Sequence, residues 1–353
     1  MNSMSERIAR WKRLFESTEP GFLFQIKYDD ERLPLPSPPA YWPDRVGERI
    51  DHALRLYETQ LRRAEIVEDD ALPYLSNLTG TEIFAEAFGC RVQRDEDKMP
   101  FALPAVRSAA EAERLRVPDP LDCSLAYLFD IADELSERTG PEALMRLVDI
   151  QSPMDITSLI WEKVSLFTAL IETPEAVHRL SARVCDLLVA FMDEWFRRYG
   201  TRYIAHYPEY YMEGGITLSE DEIGTVSPAM FDAFFREELV RLAGHFGSLG
   251  MHCCANSRHQ WDRIAELPGL TVLNLCRNDW TGQGFTVEES LGYFGPGVVQ
   301  YPMGMRLQPD PVKWISTHGA GRRLIIEVPA ADREEAVRLA GDLNEMRARG
   351  LGA

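Results

Sequence analysis

The chain has 353 residues, of which 45% are hydrophobic and 27% are charged, a balance that excludes disordered and fibrous proteins and allows a sizeable buried core. Its 56 acidic and 38 basic residues give a formal net charge of −18, which disfavours nucleic acid and anionic membrane surfaces as partners. No stretch reaches the roughly 20 apolar residues of a membrane span, and six cysteines in a chain of this size do not indicate a disulfide framework. The sequence therefore predicts a cytoplasmic protein with a small-molecule substrate.

Predicted helices and strands alternate along the chain. An amphipathic N-terminal helix is predicted within residues 1–20. Long amphipathic helices are predicted to begin at Pro174, at Pro228 and near Asp332. Several of the predicted strands are nearly continuous in apolar residues, as parallel strands covered on both faces tend to be. The strands are Phe22–Lys27, Ala71–Leu75, Leu144–Ile150, Arg202–Tyr207, Leu249–Cys254, Thr271–Cys276, Gly297–Tyr301 and Leu324–Val328.

Strict alternation of strand and helix from about residue 144 onward indicates βαβ units and a parallel sheet. Eight candidate strands favour a (β/α)8 TIM barrel formed by residues 1–353 as a single domain. The alternative is an open doubly wound sheet, but no Gly-x-Gly-x-x-Gly follows the first strand. Two loop insertions are predicted, a proline-rich one at residues 29–47 and a polar one at residues 91–120, both over the catalytic face.

Polar residues at or after the predicted strand ends are the candidate active-site residues, because a barrel builds its site there. Asp221 and Glu327 are predicted to be catalytic or pocket carboxylates. Asp221 could equally cap a turn, and one pocket candidate, His206, could equally be a hydrogen-bonded core histidine. The residues predicted to line the substrate pocket are Tyr28, Asn77, Gln151, His206 and Tyr210.

His252 and Cys254 form the most specific pattern in the chain. Side chains alternate faces along a strand, so these two point the same way while Cys253 points to the other face. An imidazole nitrogen and a thiolate can bind one zinc ion if another strand supplies a third ligand. Cys276, which ends the next strand, is the predicted third ligand, and Glu327 is the alternative oxygen ligand. In the competing interpretation these cysteines are small buried apolar residues.

Several segments resemble the uroporphyrinogen decarboxylase superfamily, over roughly residues 140–345. They are Ile150–Asp155, Gly214–Glu222, Val226–Phe231, and the strand ending at His252 followed by Ile264–Leu270. The resemblance implies a (β/α) barrel. It also implies one of two activities, since the superfamily includes porphyrinogen decarboxylases and zinc-dependent methyltransferases that move methyl groups between corrinoid proteins and thiols.

The resemblance favours the methyltransferase branch. The decarboxylases carry an Arg-Gln-Ala-Gly-Arg segment after the first strand to bind substrate carboxylates, whereas this chain has Asp29, Asp30 and Glu31 there. His252 and Cys254 match the methyltransferase His-x-Cys, but the last predicted strand lacks that branch's further cysteine. Cys276 stands where the related cobalamin-independent methionine synthases place a carboxylate ligand.

The sequence therefore predicts a zinc-dependent methyltransferase that methylates a thiol from a corrinoid or another methylated donor. A corrinoid protein would then be a partner. Two alternatives stay open, a metal-free decarboxylase that acts on a different substrate and a non-catalytic barrel that binds a ligand. Metal content separates the first hypothesis from both alternatives.

Overall fold

The computed structural model describes residues 3–40, 43–95, 98–276, 284–302 and 310–350. Short 3-10 helices at Glu222–Thr225, Arg258–Gln260 and Gly295–Gly297 supplement the α-helices. The α-helices are α1 (Met4–Glu16), α2 (Val46–Ile66), α3 (Ile83–Ala87), α4 (Ala109–Ala112), α5 (Ala126–Thr139), α6 (Pro153–Ile160), α7 (Lys163–Glu172), α8 (Pro174–Tyr199), α9 (Pro228–Phe234), α10 (Arg236–Phe246), α11 (Trp261–Ala265), α12 (Val287–Phe294), α13 (Pro311–His318) and α14 (Arg333–Ala348).

The strands are β1 (Gly21–Tyr28), β2 (Tyr74–Ser76), β3 (Arg91–Gln93), β4 (Phe101–Leu103), β5 (Leu144–Arg146), β6 (Arg202–Ile204), β7 (Tyr211–Glu213), β8 (Ile216–Ser219), β9 (Leu249–Cys253), β10 (Leu270–Leu275), β11 (Val299–Gln300) and β12 (Arg323–Ala330). A parallel six-stranded sheet has the order β1-β12-β11-β10-β9-β8. A second sheet has the order β2-β5-β6-β7, with only its β6–β7 pair antiparallel. The predicted α/β class with a mostly parallel sheet is confirmed.

Hydrogen bonds outside the strand ladders link the two sheets at two places, one beside β8 and one beside β1. Gln151 forms a parallel bridge with Ser219, which connects the chain after β5 to β8. On the other side, Asp70 N donates to Phe24 O at 2.8 Å, and the Asp69 carboxylate accepts from Ile26 N at 2.8 Å. Residues 69 and 70 therefore occupy the edge of β1 where a ladder with β2 would run. Among the described residues, the strand ladders do not form one continuous closed sheet.

The predicted strict alternation is wrong between residues 202 and 219, where β6, β7 and β8 follow one another with no helix between them. Arg202–Tyr207 was expected to be a barrel strand, and β6 does pair parallel with β5, but its other neighbour is the antiparallel strand β7. The strand beside β9 is instead β8, for which the sequence predicted no strand. Gly214 and Gly215 make the turn between β7 and β8 with positive φ angles of 67° and 75°, a conformation that glycine adopts without strain.

The predicted helix starts agree with the structure, although the helix predicted to begin at Pro228 is divided into α9 and α10. α1 lies within residues 1–20, α8 begins at Pro174, and Gly200 ends it with a φ of 78°. Thr173 precedes α8, but its side chain makes no capping hydrogen bond, whereas the Asp332 carboxylate caps α14 by accepting from Glu335 N. The 91–120 insertion contains β3, β4 and α4, so it is more ordered than predicted. The single-domain assignment stays a prediction.

The core lies on both faces of β1, as the alternation of its side chains requires. Leu23 belongs to a large apolar cluster, while Phe22, Phe24 and Ile26 belong to a second cluster that packs against α14. All six cysteine thiols are free. Within the described ranges, none of the helices combines the length and apolar character needed to cross a bilayer.

Candidate metal centre

The parallel register of β8 and β9 brings together a carboxylate, an imidazole and a thiol. Ser219 pairs with His252, so Asp221 and Cys254 each follow this pair by two residues and lie side by side. Ligand atoms of Asp221, His252 and Cys254 all lie within 4.8 Å of one another, close enough for one metal ion. The group stands at the C-terminal ends of two neighbouring parallel strands, where α/β enzymes place their chemistry.

Asp221 is held against Cys254 by two hydrogen bonds. Cys254 N donates to Asp221 Oδ1 at 2.6 Å, and the Cys254 thiol donates to Asp221 Oδ2 at 3.2 Å. Burial and the charge of Asp221 raise the pKa of the Cys254 thiol to about 12. The thiol is therefore protonated at neutral pH unless a cation takes the place of its proton.

The strand on the other side of β9 orients His252. Asn274 of β10 lies opposite His252, and its Oδ1 is 2.5 Å from His252 Nδ1. Asn274 Nδ2 donates to Tyr301 O, which fixes the orientation of the amide and makes Nδ1 the protonated imidazole nitrogen. Burial lowers the pKa of His252, so the ring is neutral and Nε2 keeps its lone pair. Such a histidine is ready to bind a metal.

Further carboxyl groups lie beside Asp221. Asp155 accepts hydrogen bonds from Asp221 N at 2.7 Å and Glu222 N at 2.9 Å. Burial and the charge of Asp221 raise the pKa of Asp155 to about 7. Burial and the charge of Asp155 raise the pKa of Glu220 well above its ordinary value. Burial and crowding thus disfavour the charged forms of these carboxyl groups, and a bound cation would stabilise those charged forms. Together with the sulfur, nitrogen and oxygen donors, the charge fits zinc.

The two predicted third ligands, Cys276 and Glu327, are not among these clustered ligand atoms, and the ligand set expected from the sequence stays a prediction. Cys276 N donates to Cys253 O at 3.0 Å, so Cys276 continues β10 past β9, but its thiol is not among the clustered ligand atoms. Glu327 belongs to β12 and pairs in register with Gln25 of β1. Asp221, predicted to be a catalytic or pocket residue, supplies the third of the clustered ligand atoms.

Two predicted pocket residues are joined through a buried aspartate. Gln151 Nε2 donates to Asp149 Oδ1 at 2.6 Å, and His206 Nε2 lies 3.2 Å from Asp149 Oδ2. Burial acts to raise the pKa of Asp149, but His206 and Gln151 hold it below its ordinary value. Tyr207, which follows His206, places its ring edge-on to His252 with 4.7 Å between the ring centroids. The structure thus brings this segment next to the metal ligands.

The remaining predicted pocket residues lie elsewhere. Asn77 is buried and its Nδ2 donates to Leu128 O at 2.9 Å, which ties it to α5. Tyr28 and Tyr210 are buried and line a cavity of about 490 Å³ whose lining residues include none of the three clustered metal-ligand candidates.

Sequence reasoning left out two residues that matter at these sites. Asn274 is a fully buried amide between Leu273 and Leu275 in β10, and this polar interruption of an apolar run was the available signal. Glu209 follows a predicted strand end, but nothing in the sequence indicates that Lys27 would bind it at 3.0 Å.

Comparison with known proteins agrees with this fold. A family model described as uroporphyrinogen decarboxylase (URO-D) matches residues 53–283, more than half of the chain. Among solved structures, the chain is similar to a methyltransferase from Methanosarcina mazei, with 14% sequence identity, a TM-score of 0.63 and coverage of 98% of this chain and 100% of that one. At that identity the similarity shows the fold alone. No curated protein sequence matches the chain. The match over residues 53–283 shows that the chain belongs to the uroporphyrinogen decarboxylase family.

Proposed function

We propose that the protein is a zinc-dependent methyltransferase that moves a methyl group from a corrinoid or another methylated donor to a thiol. The observation that carries the proposal is the clustering of Asp221, His252 and Cys254 ligand atoms within 4.8 Å. The family assignment supports an enzyme, and the methyltransferase from Methanosarcina mazei supports this branch of the family. A corrinoid protein in the cytoplasm is the partner that this reaction would use.

The strand arrangement supports a site at the mouth of a barrel. We infer that β1, β2, β5, β8, β9, β10, β11 and β12 are the strands of a (β/α)8 barrel. The Gln151–Ser219 bridge and the hydrogen bonds of Asp69 and Asp70 to β1 support closure at the two places where a ladder is interrupted. His252, Cys254 and Glu327 then lie at one end of the barrel.

His252 Nε2, the Cys254 thiolate and the Asp221 carboxylate would hold the zinc. Bound zinc would lower the pKa of the acceptor thiol, so that the thiol is a nucleophile at neutral pH. Asn274 keeps the His252 lone pair available, and the ring of Tyr207 packs edge-on against the imidazole. Cys276, which follows β10 beside Cys254, is the additional candidate ligand.

The reaction transfers a methyl cation equivalent. The thiol loses a proton, its sulfur forms a bond to the methyl carbon, and the electron pair of the broken bond leaves with the donor. Glu327 is half-buried in β12, and burial raises its pKa although Lys27 opposes the increase. A carboxylate with a raised pKa is a suitable acceptor for the thiol proton.

The decarboxylase alternative needs cations that bind several substrate carboxylates. Lys27 and Arg146 both lie next to Glu209, with nitrogen–oxygen distances of 3.0 and 3.6 Å, so both cations already have a carboxylate partner in the protein. Asp30 pairs with Arg333 at 2.8 Å. This arrangement disfavours a polyanionic porphyrinogen as substrate.

Zinc content of the purified protein tests the proposal. We expect about one zinc per chain in wild-type protein and almost none in Cys254→Ala, because one thiolate ligand is lost. Cys253→Ala is the matched control, since residue 253 precedes the ligand and its thiol faces Ala255 O. Cys276→Ala and Asp221→Asn then show which residue is the third ligand.

Methyl transfer completes the test. Wild-type protein and Cys253→Ala should demethylate methylcobalamin when a thiol is present, and Cys254→Ala should not. Wild-type protein that contains no zinc and binds none when zinc is supplied would contradict the proposal.

A further inference from the structure

The cavity of about 490 Å³ lies where β1 and β2 are not paired. On one side it reaches Lys27 and Glu209, and on the other it reaches Leu56, Gln60 and Arg63 of α2. Leu56 and Gln60 are four positions apart, and Gln60 and Arg63 are three positions apart, so all three lie on one face of the helix. The volume falls within the range of about 300–1,000 Å³ that is typical of small-molecule sites.

The charges that line the cavity are balanced. The acidic residues are Asp29, Asp69 and Glu209, and the basic residues are Arg7, Lys27 and Arg63. A lining without excess charge favours a ligand without net charge. The pair formed by Lys27 and Glu209 is one part of this lining that a polar ligand can reach, since the two side chains are 44% and 26% exposed.

Both members of this pair have hydrogen-bonding capacity to spare. Lys27 Nζ has three donors and is 3.0 Å from Glu209 Oε2. Glu209 Oε1 accepts from the Tyr74 hydroxyl at 2.7 Å, and a carboxylate offers about four acceptor positions. Burial acts to raise the pKa of Glu209, but Lys27 and Arg146 hold it at about 2, so the carboxylate is charged. An ammonium and a carboxylate therefore stand together at the cavity.

A second observation points to a bound molecule. Tyr28 lines the cavity with only 8% of its surface exposed, and among the described residues its hydroxyl has no hydrogen-bond partner. A buried hydroxyl without a partner is costly unless water or a ligand accepts its proton. Burial raises the pKa of Tyr28, so the group is a donor at neutral pH.

We propose that this cavity binds a small zwitterion, with its cationic group on Glu209 and its carboxylate on Lys27. A ligand with both charges places each beside its opposite and leaves the net charge of the lining unchanged. Tyr28 lies on the opposite face of β1 from Lys27, with its ring beneath Arg63 of α2, so only a ligand that extends past the edge of β1 would accept its proton. The proposal rests on the cavity, whose lining includes neither His252 nor Cys254, so it does not depend on zinc or on methyl transfer.

Three matched probes test this proposal by isothermal titration calorimetry. Norleucine carries both charges, hexanoate lacks the ammonium group and pentylamine lacks the carboxylate. We expect norleucine to bind at least about tenfold more tightly than either of the others, since each charge-assisted hydrogen bond contributes about that factor. Equal binding of all three, or no binding of norleucine at about 10 mM, would overturn the proposal.

Variants locate the site. Glu209→Gln and Lys27→Met should each weaken norleucine binding at least about tenfold. Lys12→Met is the control, because Lys12 pairs with Glu213 at 2.6 Å and does not line the cavity. Circular dichroism of each variant confirms that it is folded. Cys254→Ala should bind norleucine like wild-type protein, which distinguishes this site from chelation by zinc. Unchanged binding by both pair variants, or loss of binding in Cys254→Ala, would refute the assignment.

Discussion

Gly250 is the position in β9 where a single methyl group should disturb both stability and the cavity. It lies opposite Thr217 of β8 in the parallel ladder. A Cβ at residue 250 would stand 3.0 Å from Thr217 Cγ2 and 3.2 Å from Tyr210 Cζ, and it would overlap the Tyr210 hydroxyl. Carbon atoms normally approach to about 3.5–4.0 Å, so Gly250→Ala requires Tyr210 to move.

Tyr210 has little freedom to move. It is 3% exposed, and its ring packs edge-on against Tyr301 with 6.4 Å between centroids. Forcing an extra methyl group into a packed core typically costs about 1–3 kcal/mol. We expect Gly250→Ala to lower the free energy of unfolding by about 2 kcal/mol, because the new Cβ would be too close to both Thr217 and Tyr210. Tyr210 lines the cavity, so norleucine binding should weaken as well.

Urea unfolding followed by circular dichroism measures this effect. Gly341→Ala is the matched control, since Gly341 is an exposed residue of α14 and a Cβ there would have no atom within 4 Å. That substitution should raise the free energy of unfolding by about 0.5–1 kcal/mol, because alanine favours the helix. If Gly250→Ala unfolds at the same urea concentration as wild-type protein, the packing of Tyr210 against β9 is not as described.

Two further predictions concern buried carboxyl groups. Burial raises the pKa of Glu82 to about 7, whereas in the unfolded chain it has its ordinary value of 4.5. The folded protein therefore keeps this proton to a higher pH than the unfolded chain. The free energy of unfolding should fall by about 3 kcal/mol as the pH rises from 4.5 to about 7. Glu82→Gln should remove this loss and be the more stable protein at pH 8 in urea unfolding, and an unchanged pH slope would contradict it. Asp70→Asn should cost about 3 kcal/mol because buried Asp70 pairs with Arg10 and Arg347 at 2.6 and 2.8 Å. Glu345→Gln, which removes an exposed pairing with Arg349, should change stability by less than about 1 kcal/mol, and equal losses in the two variants would contradict the prediction.

Local patterns in the sequence predicted much of the fold. Continuous apolar runs indicated β1, β9, β10 and β12. A strand that is covered on both faces buries nearly all of its side chains, so its sequence does not alternate with polar residues. Alternation along β9 predicted that His252 and Cys254 would face the same way, and both belong to the clustered ligand group while Cys253 does not. Proline and glycine marked the two ends of α8. Each of these features depends on residues close together in the chain.

Features that depend on distant pairing were not predictable in this way. Asp221 became a candidate ligand only because β8 pairs with β9, and β8 is short enough that Ile216–Ser219 was not predicted as a strand. The contact between Lys27 and Glu209 joins residues 182 positions apart. The sequence shows a charge at each position, but only the fold shows that the two neutralise each other.

The two candidate sites differ in how their charges are balanced, and this difference indicates what each can bind. At the cavity, Glu209 already pairs with Lys27 and lies beside Arg146, so a ligand that brings both charges leaves each of these groups with a partner. At the ends of β8 and β9, Asp155 and Asp221 lie together beside a thiol whose pKa is raised, and among the described residues no positive charge is paired with either carboxylate. A cation supplies that charge at the ligand cluster, whereas at the cavity it would leave Lys27 unpaired. The same family fold thus offers one place that favours a metal ion and another that favours a dipolar molecule.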